Sequence, residues 1–551
     1  MSSSSPSSVP ARRPSAPSRR TVLSALAVIA AGAGAGLPAA GRGYAADGAA
    51  AATGPKAQLR GVWIASVVNI DWPSAPGLAP ERLRTDFLGQ LDRAVARGLN
   101  AVFVQIRPTA DAFWPSPYEP WSQWITGVQG QDPGWDPLDF MVRAAHERGL
   151  AFHAWFNPYR VSMQPDVTLL VAGHPARVNP GWTVTYGGKL YYNPGVPAAR
   201  RFAQQAMLDA VRRYDIDGVH FDDYFYPYPV SGQDFPDDEA FAAHGEGWTD
   251  RAAWRRHNVD LMVSEMQQLV REARPEAYFG ISPFGVWRND AGDPAGSATK
   301  AFQSYDGLNA DTRGWVAKGW LDYIAPQLYW HIGLAVADYG KLAPWWAAQT
   351  AGTDTLLWIG QAVYKVADPA QPAPWQDPAE LSRHLDLNAT LPQVSGDILF
   401  SAKDTWADRI GSVSRLHADH WQRPALVPLL PRLAGGAVPR RPALRSRQHG
   451  ADGLDIDSPG HGADGLDTDS PGHGARPAPF RYAVYRYDAD PGPRPGLDAA
   501  HLVALVPAAV GRFQEPAGVR DAWYVVTAVD RVGRESRPSA AVRTRAPRPG
   551  R

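Results

Sequence analysis

Two consecutive carboxylates, Asp222 and Asp223, close a short apolar run that begins at Gly218. Glycoside hydrolysis commonly uses two carboxyl groups, one to protonate the departing oxygen and one to attack the sugar or activate water. Because side chains alternate along a strand, Asp222 points inward if Phe221 packs outward, and Asp223 can turn inward beyond the last paired residue. Mutual repulsion would raise the pKa of one carboxyl. The pair is therefore the first catalytic candidate, and a loop cap is its structural alternative.

Eight short apolar or β-branched runs alternate with amphipathic helical segments from residue 59 onward. In the segment that follows the first run, Leu83, Phe87 and Leu91 recur at helical spacing before Gly98. The pattern predicts an α/β fold, a (β/α)8 TIM barrel over residues 57–415. No Gly-x-Gly-x-x-Gly turn follows the first run, which argues against a dinucleotide-binding sheet. The eight predicted strands are residues 59–66, 101–107, 151–157, 218–222, 278–283, 323–329, 356–361 and 398–401.

Polar and aromatic residues gather where the predicted strands end, which is where such barrels build their active sites. Amide, guanidinium and hydroxyl groups bind sugar hydroxyls, and aromatic rings stack on sugar faces. We expect Arg107 to reach the aspartate pair and keep the nearer carboxylate ionised. Asp111 and Glu119 are reserve candidates for the second carboxyl, or else loop scaffold. The predicted substrate-binding residues are Arg107, Asp111, Asn157, Tyr159, His220, Tyr224, Trp287, Arg288, Gln327, Tyr329 and Trp330.

The amino-acid composition argues against several classes of partner and of catalytic group. The 55 Lys and Arg residues balance 55 Asp and Glu residues, so no global charge attracts nucleic acid or an anionic membrane. The chain has no cysteine, which excludes disulfides, a thiol nucleophile and thiolate metal sites. His153, His220 and His331 lack the close spacing of a helical zinc motif, and Ser282 does not lie in a Gly-x-Ser-x-Gly elbow. We therefore expect a polysaccharide substrate and neither metal nor cofactor.

The first 46 residues are predicted to be a signal peptide. Arg19 and Arg20 precede an apolar run that ends near Leu37, as in twin-arginine signals for export of folded proteins. The alternative is a membrane anchor, but the run is shorter than the roughly 20 residues of a spanning helix. The absence of cysteine excludes a lipid-modified terminus. We expect an exported protein, secreted or at the cell wall, with no stable membrane anchor after cleavage.

Residues 425–546 are predicted to form a fibronectin type III-like β-sandwich, a spacer or weak binder without catalysis. Residues 480–487 and 522–529 alternate like antiparallel strands. Residues 449–472 contain a tandem repeat, and its alternating acidic residues suggest calcium. No glutamate closes the repeat at the spacing of an EF-hand, which favours a disordered insertion.

Several motifs together resemble the bacterial glycosyl-hydrolase-like family ten over about residues 57–410. They are Leu59-Arg60-Gly61-Val62-Trp63, Arg107-Pro108 with Asp111, Trp155-Phe156-Asn157-Pro158-Tyr159-Arg160, Asp217-Gly218-Val219-His220-Phe221-Asp222-Asp223-Tyr224, Ile281-Ser282-Pro283-Phe284-Gly285 and Pro326-Gln327-Leu328-Tyr329-Trp330. The resemblance implies a barrel hydrolase, and one branch of the family cleaves peptidoglycan glycan strands stripped of their stem peptides at the division site. Members of this type are often lipoproteins, so a division-site role does not transfer to this cysteine-free chain.

The fourth predicted strand also resembles the Asp-Gly-Phe-Arg-x-Asp pattern of amylase-like barrels. That resemblance implies a nucleophile at Asp222, but His220 stands where the arginine would be, and the fifth strand offers no glutamate for the acid. Three hypotheses follow. The leading one is an exported glycoside hydrolase acting on peptidoglycan glycan strands; the others are an α-glucan or exopolysaccharide hydrolase and a non-catalytic carbohydrate-binding wall protein. The oligomeric state stays open.

Overall fold

A computed structural model of the chain describes residues 54–446, 453–457, 476–514 and 522–544, which all belong to one compact unit. The predicted signal peptide and most of the tandem repeat lie outside the described residues. None of the described helices combines the length and apolar character needed to cross a membrane.

A closed barrel of eight parallel strands forms the larger part of the molecule, in the spatial order β1-β11-β10-β9-β8-β7-β3-β2. The predicted (β/α)8 barrel is confirmed, although several strands are shorter than expected. The barrel strands are β1 (Leu59–Ile64), β2 (Ala101–Arg107), β3 (Ala151–Phe156), β7 (Gly218–Phe221), β8 (Tyr278–Ile281), β9 (Tyr323–Ile324), β10 (Leu356–Gln361) and β11 (Val394–Leu399). A small antiparallel sheet of β4 (Arg160–Ser162), β5 (Thr183–Tyr186) and β6 (Lys189–Tyr192) follows β3.

Helices cover the barrel because each presents one apolar stripe to the sheet. In the first, Leu83, Phe87 and Leu91 are buried, and Gly98 adopts a positive φ of 69° just after the helix ends. The α-helices are α1 (Pro80–Ala96), α2 (Gln123–Thr126), α3 (Pro137–Glu147), α4 (Pro175–Val178), α5 (Pro197–Arg213), α6 (Asp238–His244), α7 (Arg251–Ala273), α8 (Ser304–Gly307), α9 (Thr312–Ala317), α10 (Tyr339–Thr350), α11 (Glu380–Ala389), α12 (Ala402–Ala407) and α13 (Ser412–His420).

Aromatic rings fill the interior of the barrel. Tyr323 stacks on Trp358 with ring centroids 4.0 Å apart, and Phe103 stacks on His153 at 4.4 Å. The small residue at the start of β7 makes room for these rings, since a Cβ on Gly218 would lie 2.3 Å from Nδ1 of His153. The interior is therefore a packed core, and a substrate must bind at one end of the barrel.

The described residues of the C-terminal part form seven further strands. One sheet has the order β12-β13-β16 and the other β15-β14-β17-β18, and Leu454, Tyr482 and Tyr524 belong to the core between them. The strands are β12 (Ala443–Ser446), β13 (Gly453–Asp457), β14 (Arg481–Tyr487), β15 (Leu502–Pro507), β16 (Arg512–Gln514), β17 (Trp523–Val529) and β18 (Val542–Arg543). The predicted disorder of the repeat is wrong for Gly453–Asp457, which pairs with strands on both sides. The fibronectin type III assignment stays a prediction.

This β-sandwich contacts the end of the barrel where the strands begin. Arg534 Nη2 lies 2.5 Å from Oε1 of Glu276, two residues before β8. The segment that leads into the sandwich adds Arg432, whose Nε lies 2.8 Å from Oδ1 of Asp322, just before β9. Because the barrel strands are parallel, these contacts lie at the end opposite to the residues that follow the strands. The sandwich therefore does not line the predicted site.

Candidate active site

Asp222 and Asp223 directly follow β7, and both side chains are almost wholly buried, with 6% and 3% of their surfaces exposed. The preceding Phe221 packs against Phe279 of the neighbouring strand, with ring centroids 5.4 Å apart. His220 instead contacts the rings inside the barrel, including Trp63. The strand thus alternates between the outer layer and the interior, and it delivers two adjacent carboxyl groups to one end of the barrel.

Asp222 is surrounded by groups that favour its ionised form. Its Oδ2 accepts a hydrogen bond from Nδ2 of Asn157 at 2.5 Å, and its Oδ1 accepts one from the backbone amide of Tyr224 at 3.2 Å. The positive charge of Arg160 and the bond from Asn157 lower the pKa of Asp222, but burial outweighs them and the pKa lies above its ordinary value. The ionised carboxylate of Asp222 is thus stabilised by hydrogen bonds and a nearby positive charge in a buried position that would otherwise disfavour its charge.

The Asn157 side chain is held in one orientation. Its Oδ1 accepts hydrogen bonds from Nε2 of Gln105 at 2.5 Å and from Nη2 of Arg160 at 2.8 Å, so its amide nitrogen must face Asp222. Gln105 is fixed in turn, because its Oε1 accepts from the backbone amides of Ser66 and Val67, each at 2.9 Å. A hydrogen-bonded chain thus runs from the segment after β1 through β2 and the end of β3 to the acidic pair.

Asp223 has a different environment. Its Oδ2 accepts a hydrogen bond from the hydroxyl of Tyr228, whereas its buried Oδ1 has no hydrogen-bond partner within the described ranges. Burial, followed by repulsion from Asp222, raises the pKa of Asp223 to about 7. The predicted repulsion is therefore present, but desolvation is the larger cause. Asp223 can hold a proton near neutral pH, as a general acid must.

Aromatic and amide side chains lie at the ends of the neighbouring strands. Tyr329 stacks on Phe400, and burial together with Tyr364 and both aspartates raises its pKa. Gln327 donates from Nε2 to the carbonyl of Ser282 at 2.9 Å. Among the predicted binding residues, Trp330 is partly exposed and meets Phe284 edge to face at 5.4 Å. These groups offer flat apolar surfaces of the kind on which sugar rings stack.

Arg107 does not have the role predicted for it. Its guanidinium forms a bidentate pair with Glu119, at 2.6 Å and 2.5 Å, and donates to the carbonyl of Asn157 at 2.5 Å. Both charged side chains are fully buried. Arg107 therefore secures the loop after β2, and Arg160 supplies the positive charge beside Asp222. Glu119, as the partner of Arg107, is structural rather than a second catalytic carboxyl.

Asp111 is also engaged within its own loop. Its Oδ1 accepts from the amide of Thr109 at 3.1 Å and its Oδ2 accepts from the Thr109 hydroxyl at 3.0 Å. The side chain is fully buried, and burial raises the pKa of Asp111 to about 6. This pattern stabilises a turn, so Asp111 fits the scaffold alternative.

His220 belongs to the barrel core rather than to the sugar-binding surface. Nε1 of Trp63 lies 3.0 Å from its Nε2, and the hydroxyl of Tyr323 lies 2.9 Å from its Nδ1. An indole nitrogen only donates, so Nε2 must accept and the proton of the neutral ring is assigned to Nδ1. Burial lowers the pKa of His220 well below its usual range. His220 is therefore a neutral residue of the barrel interior, two positions before Asp222 in the chain.

Three other predicted binding residues form no hydrogen bond or ion pair with Asp222 or Asp223 in the part of the chain that the structure describes. Tyr159 is fully buried, and its hydroxyl has no hydrogen-bond partner in the described segments. Nε1 of Trp287 donates to Asp311 at 2.9 Å. Arg288 forms ion pairs with Asp293 at 2.9 Å and Asp306 at 3.0 Å. Tyr224 does lie at the pair, with the Arg160 guanidinium 5.4 Å from its ring centre.

Gln105, Arg160 and Tyr228 belong to the site but are not among the residues predicted for it. Arg160 follows Asn157 by three residues, and Tyr228 follows Asp223 by five. Arg160 begins β4, Tyr228 stands in the loop after β7, and both segments leave barrel strands, which is the available signal. That signal does not distinguish a loop residue that turns back to the site from one that faces the helices.

The fold and the site together define a (β/α)8 enzyme of the glycoside hydrolase class. The sequence profile of the family described as Glycosyl hydrolase-like 10 matches residues 58–377, and the chain belongs to that family.

The chain is similar to named relatives over most of their lengths. It is 49% identical over 390 residues to glycosyl hydrolase YngK of Bacillus subtilis (strain 168), covering 70% of this chain and 76% of that protein. It is 40% identical over 362 residues to glycosyl hydrolase DigH of Escherichia coli (strain K12), covering 62% and 82%. Among solved structures, the PgaB (BpsB) glycoside hydrolase domain from Bordetella bronchiseptica aligns with a TM-score of 0.44 and 15% identity, over 66% of this chain and 98% of that chain.

Proposed function

We propose that this glycoside hydrolase is exported and cleaves the glycan strands of peptidoglycan, with Asp223 as proton donor and Asp222 as its ionised partner. The observation that carries the proposal is the contrast within the pair. Asp222 accepts hydrogen bonds from Asn157 and Tyr224 on both of its oxygens, whereas Oδ1 of Asp223 is buried without a partner in the part of the chain that the structure describes.

The different surroundings of Asp222 and Asp223 suit them to different chemical roles. Since Oδ2 of Asp223 receives the hydroxyl of Tyr228, a proton on the carboxyl resides on Oδ1, from which it can pass to the departing oxygen. The ionised Asp222 balances the positive charge that develops at the anomeric carbon. The nearby Arg160 opposes the rise that burial causes in the pKa of Asp222, whereas the charge of Asp222 adds to the rise in the pKa of Asp223.

A neutral polysaccharide suits the surroundings of the pair. The chain carries no net charge, and Tyr329 and Trp330 contribute aromatic surface near the strand ends. The predicted signal at residues 1–46 would carry the enzyme to the wall. The motif resemblance to hydrolases of peptide-stripped glycan strands supports peptidoglycan as the substrate.

The test measures soluble fragments by mass spectrometry from intact peptidoglycan, peptide-stripped glycan strands and an α-glucan. We expect wild-type protein to release muro-oligosaccharides from the stripped strands, Asp222→Asn to release none, and the exposed control Asp354→Asn to match wild type. Fragments from the α-glucan alone would identify an α-glucan hydrolase. Retained binding to the strands without any fragments would identify a non-catalytic binding protein.

A further inference from the structure

Among the described residues that follow barrel strands, the acidic pair contains the only buried carboxyl oxygen without a hydrogen-bond partner, Oδ1 of Asp223. Arg107 binds Glu119, and Asp111 closes the turn at Thr109. The remaining buried carboxylates beyond β1, β10 and β11 have similar partners. Asp71 accepts from Ala65 N at 2.8 Å, Ser401 Oγ at 2.7 Å and Lys403 N at 3.0 Å, Glu380 accepts from Ile332 N at 2.9 Å, and Asp404 pairs with Arg409.

Because the other described buried carboxylates have structural partners, none of them is available to act as a nucleophile opposite the acidic pair. In most glycosidases one carboxyl group protonates the departing oxygen while the other acts from the opposite side of the anomeric carbon. Asp222 and Asp223 are consecutive residues, with Cα atoms about 3.8 Å apart, at the end of one strand. Their coupling is direct, since the charge of Asp222 contributes to the raised pKa of Asp223. Two carboxyls on adjacent residues at one strand end are poorly placed to act from opposite sides of one anomeric carbon.

We infer that the attacking group comes from the substrate itself, as the carbonyl oxygen of a 2-acetamido group, and that the enzyme requires a 2-acetamido sugar at the cleaved position. This inference rests on the proposed function, because it concerns the same acidic pair. Substrate assistance of this kind is an established exception to the two-carboxylate rule in other glycosidase families.

The first step forms a bond between the acetamido oxygen and the anomeric carbon. The glycosidic carbon–oxygen bond breaks, and Asp223 transfers its proton to the departing oxygen. The substrate becomes a cyclic oxazolinium ion, whose N–H donates to Asp222 and whose positive charge Asp222 balances. In the second step water attacks the anomeric carbon, Asp223 takes a proton from that water, and the acetamido group re-forms. The product keeps the configuration of the cleaved bond.

The hydrogen bonds to Asp222 and Asp223 leave acceptor sites on both carboxyls for the substrate. Each oxygen of Asp222 accepts one bond, from Asn157 or from Tyr224, and a carboxylate oxygen can accept two. Each oxygen of Asp222 thus keeps one acceptor site, and either site is available for the acetamido N–H. The unpartnered Oδ1 of Asp223 is available for the departing oxygen. The bonds from Gln105 and Arg160 to Asn157 hold Asp222 against rotation as the acetamido group reacts.

The experiment uses peptide-stripped glycan strands whose N-acetyl groups are replaced by mono-, di- and trifluoroacetyl groups. Fluorine weakens the carbonyl oxygen as a nucleophile with little change in size. We expect kcat to fall stepwise, by about 100-fold or more across the series, because a barrier increase of about 1.4 kcal/mol costs tenfold in rate. A kcat that stays within about twofold across the series, with the native strands cleaved, would overturn the inference and leave the proposed function intact.

A binding measurement gives a second, independent readout. A thiazoline analogue of a 2-acetamido sugar imitates the cyclic intermediate, and calorimetry reports its binding without turnover. We expect competitive binding to the full chain that weakens at least about tenfold in Asp222→Asn, because the ring N–H loses an ionised acceptor. No binding to wild-type protein that cleaves native strands would count against the inference alone. Failure to cleave native strands would overturn both proposals.

Discussion

Asn157 at the end of β3 donates a hydrogen bond of 2.5 Å from Nδ2 to Oδ2 of Asp222 after β7. Its own carbonyl oxygen is occupied by Gln105 and Arg160, so the amide cannot reverse without losing both bonds. The contact fixes the orientation of Asp222 and favours its charged form. Asn157 is therefore a positioning residue whose contribution can be measured separately from that of the acidic pair.

We expect Asn157→Ala to lower kcat by about 10- to 100-fold, because Asp222 loses its fixed orientation. The hydrogen bond from Asn157 lowers the pKa of Asp222, so its loss raises that pKa and moves the acid limb of the kcat profile to higher pH. The profile is measured on peptide-stripped glycan strands. Tyr159→Phe is the matched control, since it removes a hydroxyl without a partner among described residues. An acid limb at the wild-type position would contradict the assignment.

The alkaline limb tests the role of Asp223. The proton donor must be protonated, so activity falls as the pH rises through its pKa of about 7. The hydroxyl of Tyr228 stabilises the ionised carboxylate and lowers that pKa. We expect Tyr228→Phe to move the alkaline limb to higher pH, while Asp223→Asn abolishes proton donation. An alkaline limb that stays at the wild-type position in Tyr228→Phe would show that another group sets it, and a shift to lower pH would contradict the role given to Tyr228.

The buried pair of Arg107 and Glu119 should support stability rather than substrate binding. We expect Glu119→Gln to lower the free energy of unfolding by about 3–5 kcal/mol, because it leaves a buried guanidinium without its counter-charge. Thermal denaturation measures the loss. Asp86→Asn, which breaks an exposed pair with Arg82, is the control and should leave the melting temperature nearly unchanged. A raised KM with unchanged melting would instead favour the substrate-binding role first predicted for Arg107.

The sequence predicted those features that local patterns determine. Eight apolar runs separated by amphipathic helices specify the barrel, and strand alternation placed Asp222 and Asp223 at one end of it. Sequence patterns could not decide between Arg107 and Arg160, because Arg107 ends β2 and Arg160 stands shortly after β3, and only the folded loops determine which guanidinium lies beside Asp222. His220 was correctly placed on the inner face, but its depth depends on rings contributed by other strands.

The position of the β-sandwich against the barrel could not be predicted from the sequence either. Its contacts join residues far apart in the chain, such as Arg534 with Glu276, and neither residue stands in a recognisable motif. The prediction that this domain is a spacer or weak binder says nothing of where it lies. Ion pairs between buried and partly buried side chains join it to the barrel within one compact unit.

Asp217 tests how much such ion pairs contribute to stability. This buried carboxylate precedes β7 and binds Nε2 of His146 at 2.8 Å, while Arg531 of the sandwich lies 3.6 Å away. Burial alone would raise the pKa of Asp217, but His146, Arg531 and the backbone amide of Phe152 together lower it to about 2. Because the folded-state pKa lies below the unfolded value of 3.8, the stabilisation is complete above that value. It is lost as the pH falls towards 2.

We therefore expect Asp217→Asn to reduce the free energy of unfolding by about 2 kcal/mol at pH 6, from a pKa difference of nearly two units. The difference from wild type should shrink as the pH falls from about 4 to about 2, because protonation removes the same charge from the wild-type protein. Denaturant titrations at several pH values measure it. Asp215→Asn, which removes the half-exposed partner of Arg531, is the control with a smaller, salt-sensitive effect. A difference independent of pH would show that Asp217 acts through packing and hydrogen bonds rather than through its charge.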